Sequence, residues 1–178
     1  MASLGLQKTQ QKNLFMRRLL VTALAVVVFS VANAQSKSAN SSSYRTALGV
    51  KVWDGGGVSL KHFFNSQNAG ELIAYFWRHG MRVTGLFEIH GNFSGAPGLK
   101  WYIGPGAHLG FYDAGYRHDN YYYPNSRTLI GIDGVLGLDY KFKGAPINIS
   151  LDWQPAFEFG DYAGFYGNWG GLGIRYTF

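Results

Sequence analysis

The chain has 178 residues, no cysteine, and 16 Lys and Arg against 10 Asp and Glu, for a formal net charge of +6. That length holds one domain with room for appendages, and the absence of cysteine excludes a disulfide framework and any Cys-based zinc site. Charged residues make up only 15% and aromatics 17%, against about 25% charged in an ordinary soluble domain.

Residues 1–34 read as an export signal. Lys8, Lys12, Arg17 and Arg18 form a basic start without an acid. The apolar run "LLVTALAVVVFSV" follows, and then Ala32-Asn33-Ala34, a small-x-small cleavage pattern. The run is shorter than the ~20 residues a spanning helix needs. Cleavage removes four basic residues and no acidic one, leaving a net charge of +2. The excess charge that would have suggested nucleic acid is therefore largely in the leader, and no nucleic-acid partner is expected. Residues 35–43, "QSKSANSSS", are polar and Ser-rich and read as a flexible segment.

From Tyr44 onward the hydrophobic pattern has period two, the signature of strands. Eight strands are predicted over 44–53, 57–64, 70–78, 81–90, 99–112, 128–142, 146–159 and 168–178. In the fifth, Trp101, Ile103, Ala107, Leu109 and Phe111 oppose Lys100, Tyr102 and His108. In the sixth, Ile130, Ile132, Leu136, Leu138, Tyr140 and Phe142 oppose Asp133, Asp139 and Lys141. In the seventh, Ile147, Ile149, Leu151, Trp153, Phe157 and Phe159 oppose Asn148, Ser150, Asp152, Gln154 and Glu158. In the third, Leu72, Ala74 and Phe76 are set against Glu71, Ile73, Tyr75 and Trp77. Pro105 and Pro155 cannot donate to a ladder and predict bulges. Residues 44–178 thus read as an all-β, eight-stranded antiparallel up-and-down barrel.

Alternation alone does not say which face is inside. A lipocalin-like soluble barrel has an apolar interior, whereas a transmembrane barrel turns its apolar face to lipid. Four features favour the second. The polar face is rich in glycine, where a soluble exterior would carry dense Lys and Glu. Its charges balance: Lys51, Lys61, Arg82, Lys100, Lys141 and Arg175 against Glu71, Glu88, Asp133, Asp139, Asp152 and Glu158, as a closed interior demands. Aromatics gather at both strand ends, with Phe64, Trp101, Tyr140, Phe142, Tyr176 and Phe178 at one and Trp53, Phe76, Phe111, Phe157 and Phe159 at the other. The connection 113–127 is the longest and is expected outside the cell, while the turn at "KGA" is short and expected in the periplasm.

The export signal, the eight alternating strands and the final Phe178 resemble small eight-stranded outer-membrane β-barrel proteins of Gram-negative bacteria. "YRTALGVKVW", "GLKWYIGPGAHLGFY" and the aromatic terminus are most similar to Bacteroidetes versions. The resemblance covers Tyr44 to Phe178. It implies a bacterial outer-membrane location, contact with outer-membrane lipid, and recognition by the barrel-assembly machinery through Gly173, Tyr176 and Phe178. The polar slot of that assembly pattern falls on Gly171, a departure.

No catalytic, cofactor-binding or metal residue is assigned. "GPGAHLG" lies inside a period-two strand without a following helix, so the context of a nucleotide loop is absent. His118 and Asp119, with Ser126 nearby, contain the residue types of an acyl-transfer site, and some small outer-membrane barrels modify lipid A. His108 and Asp133 are expected to meet across neighbouring strands as a hydrogen-bonded plug. Arg117, His118, Tyr121, Tyr122 and Tyr123 form a candidate contact surface for an extracellular protein or glycan, because tyrosine gives large contact area at low entropic cost. The expected role is structural or surface interaction, with a side-chain-filled lumen. The alternatives are a lipid A-modifying enzyme and a narrow channel.

Overall fold

The structure, a computed structural model, describes residues 44–118, 121–123, 125–160 and 163–178. The segment 1–43, with the export signal and the flexible stretch, lies outside the described residues, as does Asp119. The strands are β1 (Thr46–Val52), β2 (Gly56–Phe63), β3 (Asn68–Trp77), β4 (Gly80–Asn92), β5 (Leu99–Tyr112), β6 (Tyr116–His118), β7 (Tyr121–Tyr123), β8 (Arg127–Lys141), β9 (Ile147–Trp153), β10 (Ala156–Phe159), β11 (Gly164–Tyr166) and β12 (Gly170–Thr177). There is no helix among the described residues.

All pairings are antiparallel. β1 to β5 form a meander, β8 pairs with β5, and β9 and β10 both pair with β8. β12 pairs with β9 on one side and β1 on the other, which closes the sheet. β9 with β10, and β11 with β12, each make one interrupted wall strand, so the barrel has eight. Closure removes the exposed edges that would otherwise leave backbone groups unpaired. β6 and β7 form a separate hairpin within the long connection, with His118 opposite Tyr121 and Arg117 opposite Tyr122. The sequence showed only a polar loop there.

The tight connections follow local chemistry. The Asn65 carboxamide oxygen accepts from the backbone N–H of Gln67 at 2.9 Å and of Asn68 at 2.7 Å, an Asx turn between β2 and β3. Gly144, at φ 80°, takes the left-handed conformation that lets Phe142 N–H reach the Ile147 carbonyl at 3.0 Å.

The two proline expectations fare differently. At Pro105 there is no bulge: β4 and β5 hold the same register on both sides, at Leu86 with Gly106 and at Ile89 with Ile103. Pairing with β4 lapses locally instead, while Pro105 stays in register with Gly134 of β8. At Pro155 a bulge exists, but the extra residue is on the partner. Trp153 and Ala156 are separated by Gln154 and Pro155, whereas their partners Gly170 and Tyr166 are separated by Gly167, Asn168 and Trp169. Side-chain parity therefore switches between β11, where Phe165 is exposed, and β12, where Leu172, Ile174 and Tyr176 are.

Candidate functional site: the barrel interior

Polarity is inverted relative to a water-soluble fold. Large apolar side chains face out along the wall strands, including Ile130 at 57% exposure, Ile103 at 50% and Leu136 at 51%. Lys61 and Glu88, by contrast, are fully buried at 0%. The third strand follows the expected faces: Glu71, Ile73 and Tyr75 are buried and Phe76 is exposed, although Ala74 on the outer side is covered as well.

Space inside comes from glycine. Cross-strand pairs match a large side chain with a glycine, as in Tyr102 with Gly137, His108 with Gly131, and Lys51 with Gly173. A Cβ on Gly137 would collide with the Tyr102 ring, and one on Gly131 with the His108 ring.

Toward the end that carries Tyr44 and Phe178, the side chains form one dense network. The Arg175 guanidinium donates from Nε to Ser59 Oγ at 2.6 Å, from Nη1 to Ser150 Oγ at 2.7 Å and Asn148 Oδ1 at 3.3 Å, and from Nη2 to Glu71. Ser59 Oγ in turn donates to Glu71 Oε1 at 2.6 Å. Lys61 Nζ lies 2.9 Å from Glu88, 3.5 Å from Glu71, 3.5 Å from Asp139, and 4.1 Å from the Tyr102 ring centroid. Lys51 Nζ is 2.6 Å from Asp152, which also accepts from Tyr102 OH at 2.6 Å and Gln154 Nε2 at 2.7 Å. Asp139 accepts from Tyr44 OH at 2.9 Å and Asn148 Nδ2 at 2.8 Å. Tyr44 precedes β1. Burial first, and the Asp139 carboxylate second, push its phenol well above the ordinary tyrosine range, so it remains a donor. His90 stacks on Tyr102 with ring centroids 5.0 Å apart, and its Nε2 is 2.8 Å from Glu88.

Toward the long connection a second group of interior side chains centres on Asp133. Asp133 holds both the Arg82 guanidinium and His108 Nδ1, the latter at 2.8 Å. His108 Nε2 is 3.6 Å from Glu158, which accepts from Tyr112 OH at 3.5 Å. Arg82 donates to Thr84 Oγ1 at 3.2 Å and lies 4.3 Å from the Trp169 ring centroid. Along β4 and β8, the buried Leu86 and Val135 stand in chain order between the polar residues of the two regions, packed with Ile73 of β3, Tyr75 and Tyr102.

The structure thus buries Lys51, Lys61, Glu71, Arg82, Glu88, Asp133, Asp139, Lys141, Asp152, Glu158 and Arg175 inside the barrel. Two of the twelve expected interior charges stand apart. Lys100 is half-buried at the rim, 3.4 Å from the Ser66 carbonyl and 4.9 Å from the Phe63 ring centroid. Lys141 donates to the carbonyls of Phe142 at 2.8 Å and Ala145 at 2.7 Å. Sequence reasoning missed His90, Ser59, Tyr44 and Trp169 as members. The signal for His90 and Ser59 was present, since each lies two residues from a predicted inward charge. The same signal was present for Trp169, which shares the parity of Gly171, Gly173 and Arg175 in the predicted eighth strand.

Tyr176 faces out, with its ring 5.0 Å from that of Phe178, while Gly173 faces in beside Arg175. Phe178 N–H donates to the Thr46 carbonyl at 2.8 Å, stitching the last residue to β1. Among the described residues, no three His, Asp or Glu side chains are grouped so as to hold a metal ion. Comparison of the chain with protein-family models, curated proteins and solved structures gives no match.

Proposed function

We propose that this chain is an integral bacterial outer-membrane β-barrel with a side-chain-filled interior, acting structurally or as a surface-interaction protein through the connection 113–127. The observation that carries the reading is the inverted polarity: paired charges buried within a closed barrel whose outer wall is apolar. In water, such an outer wall would be an unusually large exposed apolar patch. In a bilayer it is the lipid-facing band, and the polar interior is the ordinary arrangement. Strand length agrees: β3, β4, β5 and β8 have 10, 13, 14 and 15 residues, against the roughly 9–11 needed to cross the hydrocarbon core at a tilt.

In this reading residues 1–34 direct export, and Gly173, Tyr176 and Phe178 present the pattern read by the barrel-assembly machinery. The interior side chains are a plug, supported by the close ion pairing of both networks. The role assigned is not catalytic. Arg117, His118, Tyr121, Tyr122 and Tyr123 present the surface for an extracellular protein or glycan, and their place in a hairpin connection supports it.

The test is a charge on the wall. Leu136 lies mid-strand in β8 and is 51% exposed. Leu136→Arg should cost about 2–4 kcal/mol in lipid vesicles, by denaturant unfolding. On a water-facing wall the same change would stay within roughly 0.5 kcal/mol, and that result would remove the membrane reading. In planar bilayers the purified protein should give no steady conductance, and a reproducible open level would remove the plug.

A further inference from the structure

The interior near Tyr44 and Phe178 holds more acid than base. Lys51, Lys61 and Arg175 meet Glu71, Glu88, Asp139 and Asp152. Lys100 and Lys141 do not restore the balance, because the first turns to the carbonyl of Ser66 and the second to those of Phe142 and Ala145. Tyr44 and Tyr102 are hydrogen-bond donors to Asp139 and Asp152 and bring no charge. One carboxylate is therefore surplus, where an uncompensated charge is costly.

The surplus falls on Glu71 and Glu88. Glu71 accepts through Oε1 from Arg175 and from Ser59 Oγ at 2.6 Å. Glu88 meets Lys61 at 2.9 Å and His90 Nε2 at 2.8 Å through Oε2. Their other oxygens, Glu71 Oε2 and Glu88 Oε1, are buried and have no hydrogen-bond partner. Yet the two carboxyl groups are close enough to hydrogen-bond with each other. Two ionised carboxylates repel strongly at that range, whereas one retained proton turns the contact into an O–H donor facing an acceptor. His90 is the competing site for the proton. As the Nε2–H tautomer it already donates to Glu88 while neutral. Its Nδ1 is buried without a partner, and the rings of Phe63 and Tyr102 lie 4.7 Å and 5.0 Å from its own. A second proton on His90 would be a charged donor without an acceptor.

We propose that Glu71 and Glu88 form a buried proton-binding site, in which Glu88 is the acid and donates from Oε1 to Oε2 of an ionised Glu71. Glu71 keeps the charge because Arg175 and Ser59 converge on it. The carbonyl oxygen of Glu88, Oε2, accepts from Lys61 and His90. The region is then neutral, with Lys51, Lys61 and Arg175 balanced by Glu71, Asp139 and Asp152. The titratable groups around the pair are Lys51 on β1, Lys61 on β2, His90 on β4, Tyr102 on β5, Asp139 on β8 and Arg175 on β12. The site rests on this buried network and goes beyond the membrane and surface readings above.

The test is infrared spectroscopy of the full barrel in detergent micelles at neutral pH, since a protonated carboxyl has a C=O stretch distinct from that of a carboxylate. The expected result is such a band in the wild type, shifted by δ-carbon isotope labelling of glutamate, lost in Glu88→Gln and kept in His90→Gln. Ring-nitrogen NMR should show His90 protonated on Nε2 alone. Glu88→Gln puts an amide where the acid O–H stood, so the unfolding equilibrium constant in urea should change less than about fivefold. Glu71→Gln removes the charge that Arg175 needs and should raise it more than about a hundredfold. A wild type without the band would overturn the proposal, as would a band that ignores the glutamate label, equal intensity in Glu88→Gln, or a doubly protonated His90. A Glu88→Gln chain that does not fold would also count against it, because a neutral amide fits the proposed site. Steady conductance together with the band would defeat the plug and leave this site standing, while no conductance and no band would do the reverse.

Discussion

Arg175 and Arg82 both point into the barrel and both meet a carboxylate, but their surroundings differ. Arg175, on β12, is held by Ser59 on β2, Glu71 on β3, and Asn148 and Ser150 on β9. Its partners therefore tie together strands far apart in sequence across the closure of the sheet. Arg82 has Asp133 and Thr84 as hydrogen-bond partners and the face of Trp169 beside it, while its buried Nη1 makes no hydrogen bond. A fully paired buried charge fixes geometry, because every alternative leaves a desolvated group unpaired. A charge resting partly on an aromatic face has neighbouring poses of similar energy, since cation–π attraction is less directional. Arg175 thus acts as a clasp over the closure, whereas Arg82 is held by fewer hydrogen bonds and an aromatic face.

The strongest way to break this contrast is to remove Glu71. Glu71→Ala deprives Arg175, Lys51 and Lys61 of a shared acid and should cost about 3–5 kcal/mol, the range for breaking a buried ion pair from one side. Urea unfolding of the barrel in detergent or lipid measures it. Asp133→Ala leaves the buried Arg82 without its paired carboxylate and should cost about 3 kcal/mol, the lower end of the same range. If Asp133→Ala costs more than Glu71→Ala, the clasp is at the wrong end. Gly137→Ala pushes a methyl into Tyr102, which donates to Asp152. It should cost about 1–3 kcal/mol through overpacking. Trp169→Leu removes the ring beside Arg82 and its edge contacts with Tyr75 and Trp77 and should cost about 1–2 kcal/mol, and an effect as large as that of Glu71→Ala would show that the indole is a structural keystone.

Much of the interior was legible from alternation. Lys51, Glu71, Asp139 and Arg175 could be assigned to the inner face because their strand neighbours on either side are apolar or small. Pairing was not legible. Nothing in the spacing says that Lys51 meets Asp152, 101 positions away, at 2.6 Å, or that Lys141 turns to the carbonyls of its own turn. The bulge shows the same limit. Pro155 marked the place, but its partner strand took the extra residue, because Gln154 and Pro155 keep register with β8 while residues 167–169 must span the gap.

By itself the sequence determined the number of wall strands, most of their limits and the face on which most of the strand charges lie. These follow from the two-residue repeat of extended backbone and from turn chemistry, both set by covalent geometry within a few residues. Only the tertiary structure decided which acid neutralises which base and where parity switches. Those depend on how closure of the sheet brings strands from distant parts of the chain together, and no local pattern encodes that stagger.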